Sequence, residues 1–259
     1  MRRAGTLGRS LAWELTLPVI LIAAWWLISE HDNSLYVPSL KSIVETMKTH
    51  EFISEVSSAL VSSGKNFVAG MAIAILVGLV LGLILGSRRT FQRATFPFIE
   101  LWRAAPPVVL LPLAMLFFGI GNEMKIVIIA IGALWPILLN TTDAVQGIEP
   151  TIFETARCYR LRPQDKLFRV ILPAISPQVL AGIRVALSIG IALIVISELV
   201  GSTSGIGYYI IQAQRTFAYP QMWGATIVLG LVGYFVNLGF RGVERALLRG
   251  HGPAVLGEP

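Results

Sequence analysis

Long apolar runs constrain this chain more than any other feature. Residues 11–28, 67–85, 98–118, 126–139, 179–200 and 222–240 each approach the roughly 20 residues that a helix needs to cross about 30 Å of hydrocarbon. With a mean hydropathy of +0.70 and 14% charged residues, a soluble domain of 259 residues lacks the polar surface to enclose them. The expected fold is all-α, a single polytopic domain over 1–259 with six transmembrane helices. The run 126–139 is short and holds Pro136, while 98–118 carries Glu100, Arg103, Pro106, Pro107 and Pro112. Six is preferred to five because an odd number would separate the two termini, and the charges oppose that.

With both termini cytoplasmic, the inner side receives Arg2, Arg3 and Arg9, then Arg88, Arg89 and Arg93, then the basic group from Arg157 to Arg169, and lastly Arg241, Arg245 and Arg249. The outer side receives only Lys41, Lys48, Lys65, Lys125 and Arg215. The positive-inside rule therefore sets the expected orientation. A net charge of +6 and a pI near 9.8 do not point to nucleic acid, because the cations are spread over several loops with no aromatic platform beside them. The single cysteine, Cys158, excludes an intrachain disulfide. Arg2 and Arg3 precede an apolar run that contains Trp25 and Trp26 and has no convincing small-residue cleavage site, so it is read as a retained first helix.

Between the first two runs, residues 30–65 place Pro38 and Ser39 ahead of a mixed helical pattern through Ile43, Val44, Met47, Phe52, Ile53, Val56 and Leu60. That spacing suits amphipathic helices at the interface, either bracing the bundle or meeting an external partner. In the second run, Gly70, Ala74, Gly78, Gly82 and Gly86 recur at every fourth position and form one close-packing face, within the chain or between two copies. A polar, basic island from Glu154 to Pro173 interrupts the apolar sequence. Thr151 and Glu154 have the spacing of a capping box, and Pro163 suits the first turn of a second short helix expected to end near Leu172, before Pro173. Apolar Phe168, Val170 and Ile171 beside Arg157, Arg162, Lys166 and Arg169 form the composition of a protein interface.

The island reads ETARCYRLRPQDKLFRVILP. It resembles the cytoplasmic coupling motif of permease subunits in binding-protein-dependent ABC importers of type I, written Glu-Ala-Ala, three residues, Gly, then hydrophobic-Leu-Pro. Glu154, Ala156, Leu172 and Pro173 match; Thr155 replaces an alanine and Arg160 replaces the glycine. If that glycine serves a tight turn, Arg160 must find another geometry, such as φ > 0 at a cost of about 1 kcal/mol or more. Before the island, Pro97, Glu100, Arg103, Pro106-Pro107, Pro112-Leu113 and Phe118-Gly119-Ile120-Gly121 are similar to the nitrate, sulfonate, taurine and bicarbonate permease branch. So are Ser197-Glu198-Leu199 and Ser204-Gly205-Ile206-Gly207-Tyr208.

The resemblance implies a multi-pass protein of the bacterial inner membrane, a homodimer enclosing one path, with two cytoplasmic ATPase subunits on the loops at about 150–177 and an external solute-binding protein. ATP and Mg belong to the ATPase; no cofactor is expected on this chain, which has no G-x-x-x-x-G-K-[ST] phosphate loop and is not read as an enzyme. The coupling residues it implies are Glu154, Thr155, Ala156, Arg160, Leu161, Leu172 and Pro173. The solute implied is a small oxyanion or organic acid, such as a sulfonate, nitrate or aromatic carboxylate.

Charges within spans are costly, so each needs a partner, an escape to water or a function. Glu100 and Arg103 stand three apart and can pair on a helix; otherwise Arg103 would attract an anion. Glu198 has no obvious partner in sequence and is either an interface residue reaching water or part of the path or outer gate. Arg184 is expected to snorkel. Trp135, Asn140, Ser188, Ser197 and Asn237 are further path candidates, though hydrogen bonds between helices explain such residues more often than ligand contact does. Tyr208 heads a segment that could gate or brace. His31, His50 and His251 have no metal-ligand spacing, and no metal is assigned. The rival reading is a secondary transporter or channel without an ATPase, which would need ion-coupling residues at mid-membrane.

Overall fold

The computed structural model describes residues 36–248, together with Thr16, Ile20, residues 23–27 and Ser29. Most of the first run, 11–28, as well as both termini, His31 and His251, lies outside the described residues. Every regular element among the described residues is helical. The chain divides into two compact units, Met1–Ser57 with Tyr209–Val228, and Ser58–Tyr208 with Leu229–Pro259.

In the smaller unit, Ser39 caps helix α1 (Leu40–Met47), its hydroxyl accepting the Ser42 amide at 3.3 Å. Ile43, Phe52 and Val56 are buried while Val44 and Ile53 are exposed, as an amphipathic helix requires. The Trp223 indole donates to the Tyr36 carbonyl at 3.0 Å and lies 5.0 Å from the ring of Trp25. Burial, then the Glu55 and Glu51 carboxylates, pushes the Tyr209 hydroxyl up to about 12.

Helix α2 (His50–Ser87) continues without a break through the point where the sequence suggested separate interfacial and spanning helices. The residues between them, Val61 to Asn66, include no proline, and one glycine does not stop a long helix. In the larger unit the glycine face of α2 packs against helix α5 (Asn122–Gln146), so the stripe is used within the chain. Added Cβ atoms would lie 2.7 Å from Ile129 at Gly70, 3.0 Å from Ile137 at Gly78, 2.5 Å from Thr141 at Gly82 and 2.6 Å from Val145 at Gly86. Both helices advance by equal steps from contact to contact, which makes them parallel neighbours whose backbones nearly touch.

The run 98–118 is divided. Helix α3 (Arg89–Ala104) and a 3₁₀ turn (Pro107–Leu110) leading into helix α4 (Leu111–Phe118) are bent by 83°. The cause is the Pro106-Pro107 pair: each proline drives its predecessor to extended backbone, and Ala105 and Pro106 take ψ 121° and 127°. Among the described residues, four helices are long and apolar enough to cross a membrane, or five if the bent pair counts as one span.

After helix α6 (Pro150–Cys158), helix α7 runs Pro163–Val200. The expected stop before Pro173 does not occur. A π turn at Leu167–Ile171 widens the helix, and the Leu172 amide bonds to the Leu167 carbonyl five residues back. The altered register accommodates the Pro173 ring without ending the helix. Helix α5 is the most enclosed of the spans, flanked by α2 and by α7, whose Gly182 and Gly190 approach Pro136 and Ile129. Helix α8 (Ile206–Arg215) leads to α9 (Tyr219–Leu247), the least enclosed of the described spans.

Candidate functional site

Polar chemistry gathers in two places. The first surrounds Glu198, near the C-terminal end of α7, whose side chain has no exposed area. Ser63 of α2 brings its hydroxyl oxygen to 2.8 Å and 2.9 Å from the two carboxylate oxygens. Lys125, in the first turn of α5 and 1% exposed, places Nζ 3.7 Å from Oε1 and donates to the Ser204 carbonyl at 2.9 Å. The Gly207 amide donates to Oε2 at 2.9 Å, and the Ile206 amide donates to Ser63 Oγ at 2.9 Å.

These last two amides open α8. A helix start leaves its first amides unfilled and positively polarised, so Glu198 and Ser63 cap α8 from other helices. Removing a carboxylate and an ammonium from water costs several kcal/mol per ion, and only such a saturated set of partners offsets it. Gly205 allows the approach: its φ of 110° disfavours any side chain, and a Cβ there would stand 2.1 Å from Glu198 Oε1. Chemically the node holds rather than reacts, fixing segment 201–208 to α2, α5 and α7.

Sequence reasoning gave Glu198 no partner and gave Lys125 to the outer side without one; the structure pairs the two in a buried contact. Ser63 was missed. The available signal was a lone lysine opening one apolar run and a lone glutamate closing another, at opposite ends of two helices whose antiparallel packing brings those ends together. Among the other path candidates, Ser197 is buried and donates to the Ile194 carbonyl at 2.8 Å, while Tyr208 is half-buried beside Gly207. Trp135 packs away from them, with Leu85, Ile99 and Leu138. Glu100 and Arg103 form an exposed pair at 2.7 Å on α3. Arg184 pairs with Glu244 of α9 instead of snorkelling. Asn140 returns its amide to the Pro136 carbonyl at 2.7 Å, and Ser188 lies 3.5 Å from Asn237.

The second place is the loop 150–177. Glu149 occupies the cap position of α6, Pro150 opens the helix, and Thr151 lies inside it, so the expected capping box does not form. Glu154, Thr155, Arg160 and Leu161 are exposed; Ala156 is buried; Leu172 is half-buried and Pro173 exposed. Helix α6 ends in a Schellman motif, with the Arg160 amide bonded to the Arg157 carbonyl at 2.9 Å and the Leu161 amide to Ala156 at 3.1 Å. The position that favours glycine there is Arg160, at φ 50°. Past the turn, Arg162 caps a helix with Pro163 in its first turn. Tyr159 and Phe168 are 77% and 65% exposed, and Ile152 and Leu161 add to the apolar surface among the loop's charges.

The family described as "Binding-protein-dependent transport system inner membrane component" matches residues 74–250. The chain is 31% identical to the putative aliphatic sulfonates transport permease protein SsuC of Bacillus subtilis, over 91% of this chain and 86% of that one. It is 26% identical to the taurine transport system permease protein TauC of Escherichia coli, over 95% and 92%. Its fold is similar to a chain of the MetNI methionine ABC transporter, with a TM-score of 0.65 at 18% identity, covering 77% of this chain and 99% of that one. The helices of the described residues and these likenesses agree: the chain belongs to the inner membrane components of binding-protein-dependent transport systems, as a permease subunit of an ABC importer.

Proposed function

We propose that this permease pairs with a second copy of itself, engages two cytoplasmic ATPase subunits through the loop 150–177, and imports a small oxyanion or organic acid, such as a sulfonate, delivered by an external binding protein. The observation that carries the coupling role is the exposed apolar surface of Ile152, Tyr159, Leu161 and Phe168 on a loop held rigid by its own Schellman turn. Such a surface among cations suits a docked protein. Glu154, Thr155, Arg160 and Leu161 lie on or beside that surface; Ala156 fixes α6 from below, and Leu172 and Pro173 follow the π turn that joins the loop to α7.

The solute class rests on the names of the relatives, for aliphatic sulfonates and taurine. Within this chain, Arg103, Lys125 and Arg184 each have a carboxylate partner, which favours selection by the binding protein over selection by a free cation in a span. The basic loop is assigned to the cytoplasm, with both termini on the same side, and ATP and Mg to the partner subunit.

Purification of the tagged chain from its native cells tests this reading. A stoichiometric P-loop ATPase should accompany it, and Glu154→Ala and Leu161→Ser should separate ATP hydrolysis from uptake of a labelled sulfonate while the chain stays in the membrane. Recovery of the chain alone, inert to ATP, would favour a transporter that needs no ATPase.

A further inference from the structure

A cleft of about 420 Å³ lies under α6, between the ends of α2 and α5 and the start of α7. Arg89, Arg157 and Lys166 line it, against one carboxylate, Glu154. None of the three cations has an ion-pair partner among the described residues, and Lys166 is held 4.6 Å over the Phe153 ring. Gln146 also lines the cleft, and its Nε2 is shielded from solvent with no acceptor. A buried amide donor without an acceptor is costly, and here it stands beside three cations. The missing chemistry is an anion rich in acceptor oxygens, which describes a phosphate group.

A second cavity of about 560 Å³ adjoins the first. Its walls are Val80, Leu83, Ile84, Phe91 and Leu167, with Arg88 at the rim. Ser87 belongs to both cavities, and the chain neighbours Arg88–Arg89 and Lys166–Leu167 contribute one residue to each. A cationic cleft joined to an apolar groove on the flank of a spanning helix has the shape and polarity of an amphiphile.

We infer that the two cavities together bind one anionic phospholipid of the leaflet on the loop 150–177 side, its phosphate between Arg89, Arg157 and Lys166 and an acyl chain along Ile84 and Phe91. A soluble phosphate would satisfy the cations but leave the groove unused. Basic pockets beside membrane helices favour anionic headgroups on charge grounds. The inference depends on neither the solute nor the sidedness proposed above, since either leaflet can supply such a lipid.

The test is native mass spectrometry of the full-length chain, purified with its accompanying subunits and titrated with phosphatidylglycerol or phosphatidylcholine. One phosphatidylglycerol per chain should survive activation that strips phosphatidylcholine. Each cation removed should weaken retention about fivefold, so Arg157→Gln with Lys166→Gln loses the adduct while Arg245→Gln, an equal loss of charge elsewhere, keeps it. Ile84→Trp, which fills the groove, should also release the lipid. Equal retention of the two lipids, or a double variant that behaves like Arg245→Gln, would overturn the site. Displacement by millimolar inorganic phosphate with no effect of Ile84→Trp would overturn the lipid in favour of a free anion. Exclusion of the lipid by a bound ATPase subunit would give the cleft to that protein.

Discussion

The Glu198 node and the loop 150–177 treat their polar groups in opposite ways. At the node, a carboxylate, an ammonium, a hydroxyl and two helix-opening amides satisfy one another within one chain, with almost no exposed area. On the loop, Glu154, Arg157 and Arg162 are exposed, Tyr159 and Phe168 stand open, and Asp165–Arg169 at 3.4 Å is an exposed pair. The node's bonds are all spent on its own structure, whereas the loop keeps a rigid backbone and leaves its side chains free for something else. A closed set of buried charges stabilises one arrangement; an open set stabilises a complex.

Breaking the node should have the largest effect. Glu198→Ala leaves Lys125 buried without its counter-charge and removes the cap from Gly207, for a loss of about 3–5 kcal/mol. It should appear as a steep fall in the melting midpoint of the detergent-purified chain. Lys125→Met combined with Glu198→Leu should recover much of that loss; a double variant no more stable than Glu198→Ala would mean that unpaired charge is not the cause. Gly205→Ala should follow at about 1–3 kcal/mol, from backbone strain at φ 110° and the clash with the carboxylate.

On the loop the sign reverses. Arg160→Gly places the residue favoured at φ 50° and should stabilise the turn by about 1 kcal/mol, read as slower exchange of the amides at position 160 and at Leu161. Tyr159→Ser and Phe168→Ser should change stability by no more than about 0.5 kcal/mol yet reduce the amount of copurifying ATPase. Destabilisation there on the scale of the node would erase the contrast between the two regions.

Much of the loop was legible because its signals are local. Pro163 marks a helix start by its own position, while the φ > 0 at Arg160 was suggested by the glycine that the resembling motif carries there. Likewise, the glycine stripe of α2 announces a close neighbour, though not that the neighbour is α5 of the same chain. Local rules also misled: Pro173 signals an end, but a π turn carries the helix through it, and Thr151 fits a capping box that Pro150 pre-empts by starting the helix earlier. The node was not legible as a node, since Ser63, Lys125 and Glu198 lie far apart in sequence and only the packing of α2 and α7 on α5 brings them together.

Helix α7 spans 38 residues, about 57 Å at 1.5 Å per residue. Its first residue, Pro163, follows the turn of the exposed loop, and Glu198 lies two residues from its last. The two regions are therefore the ends of one lever. Were the helix to tilt as a rigid rod both ends would move together, and the π turn at Leu167–Ile171 is the stretch between them where the hydrogen-bond register changes.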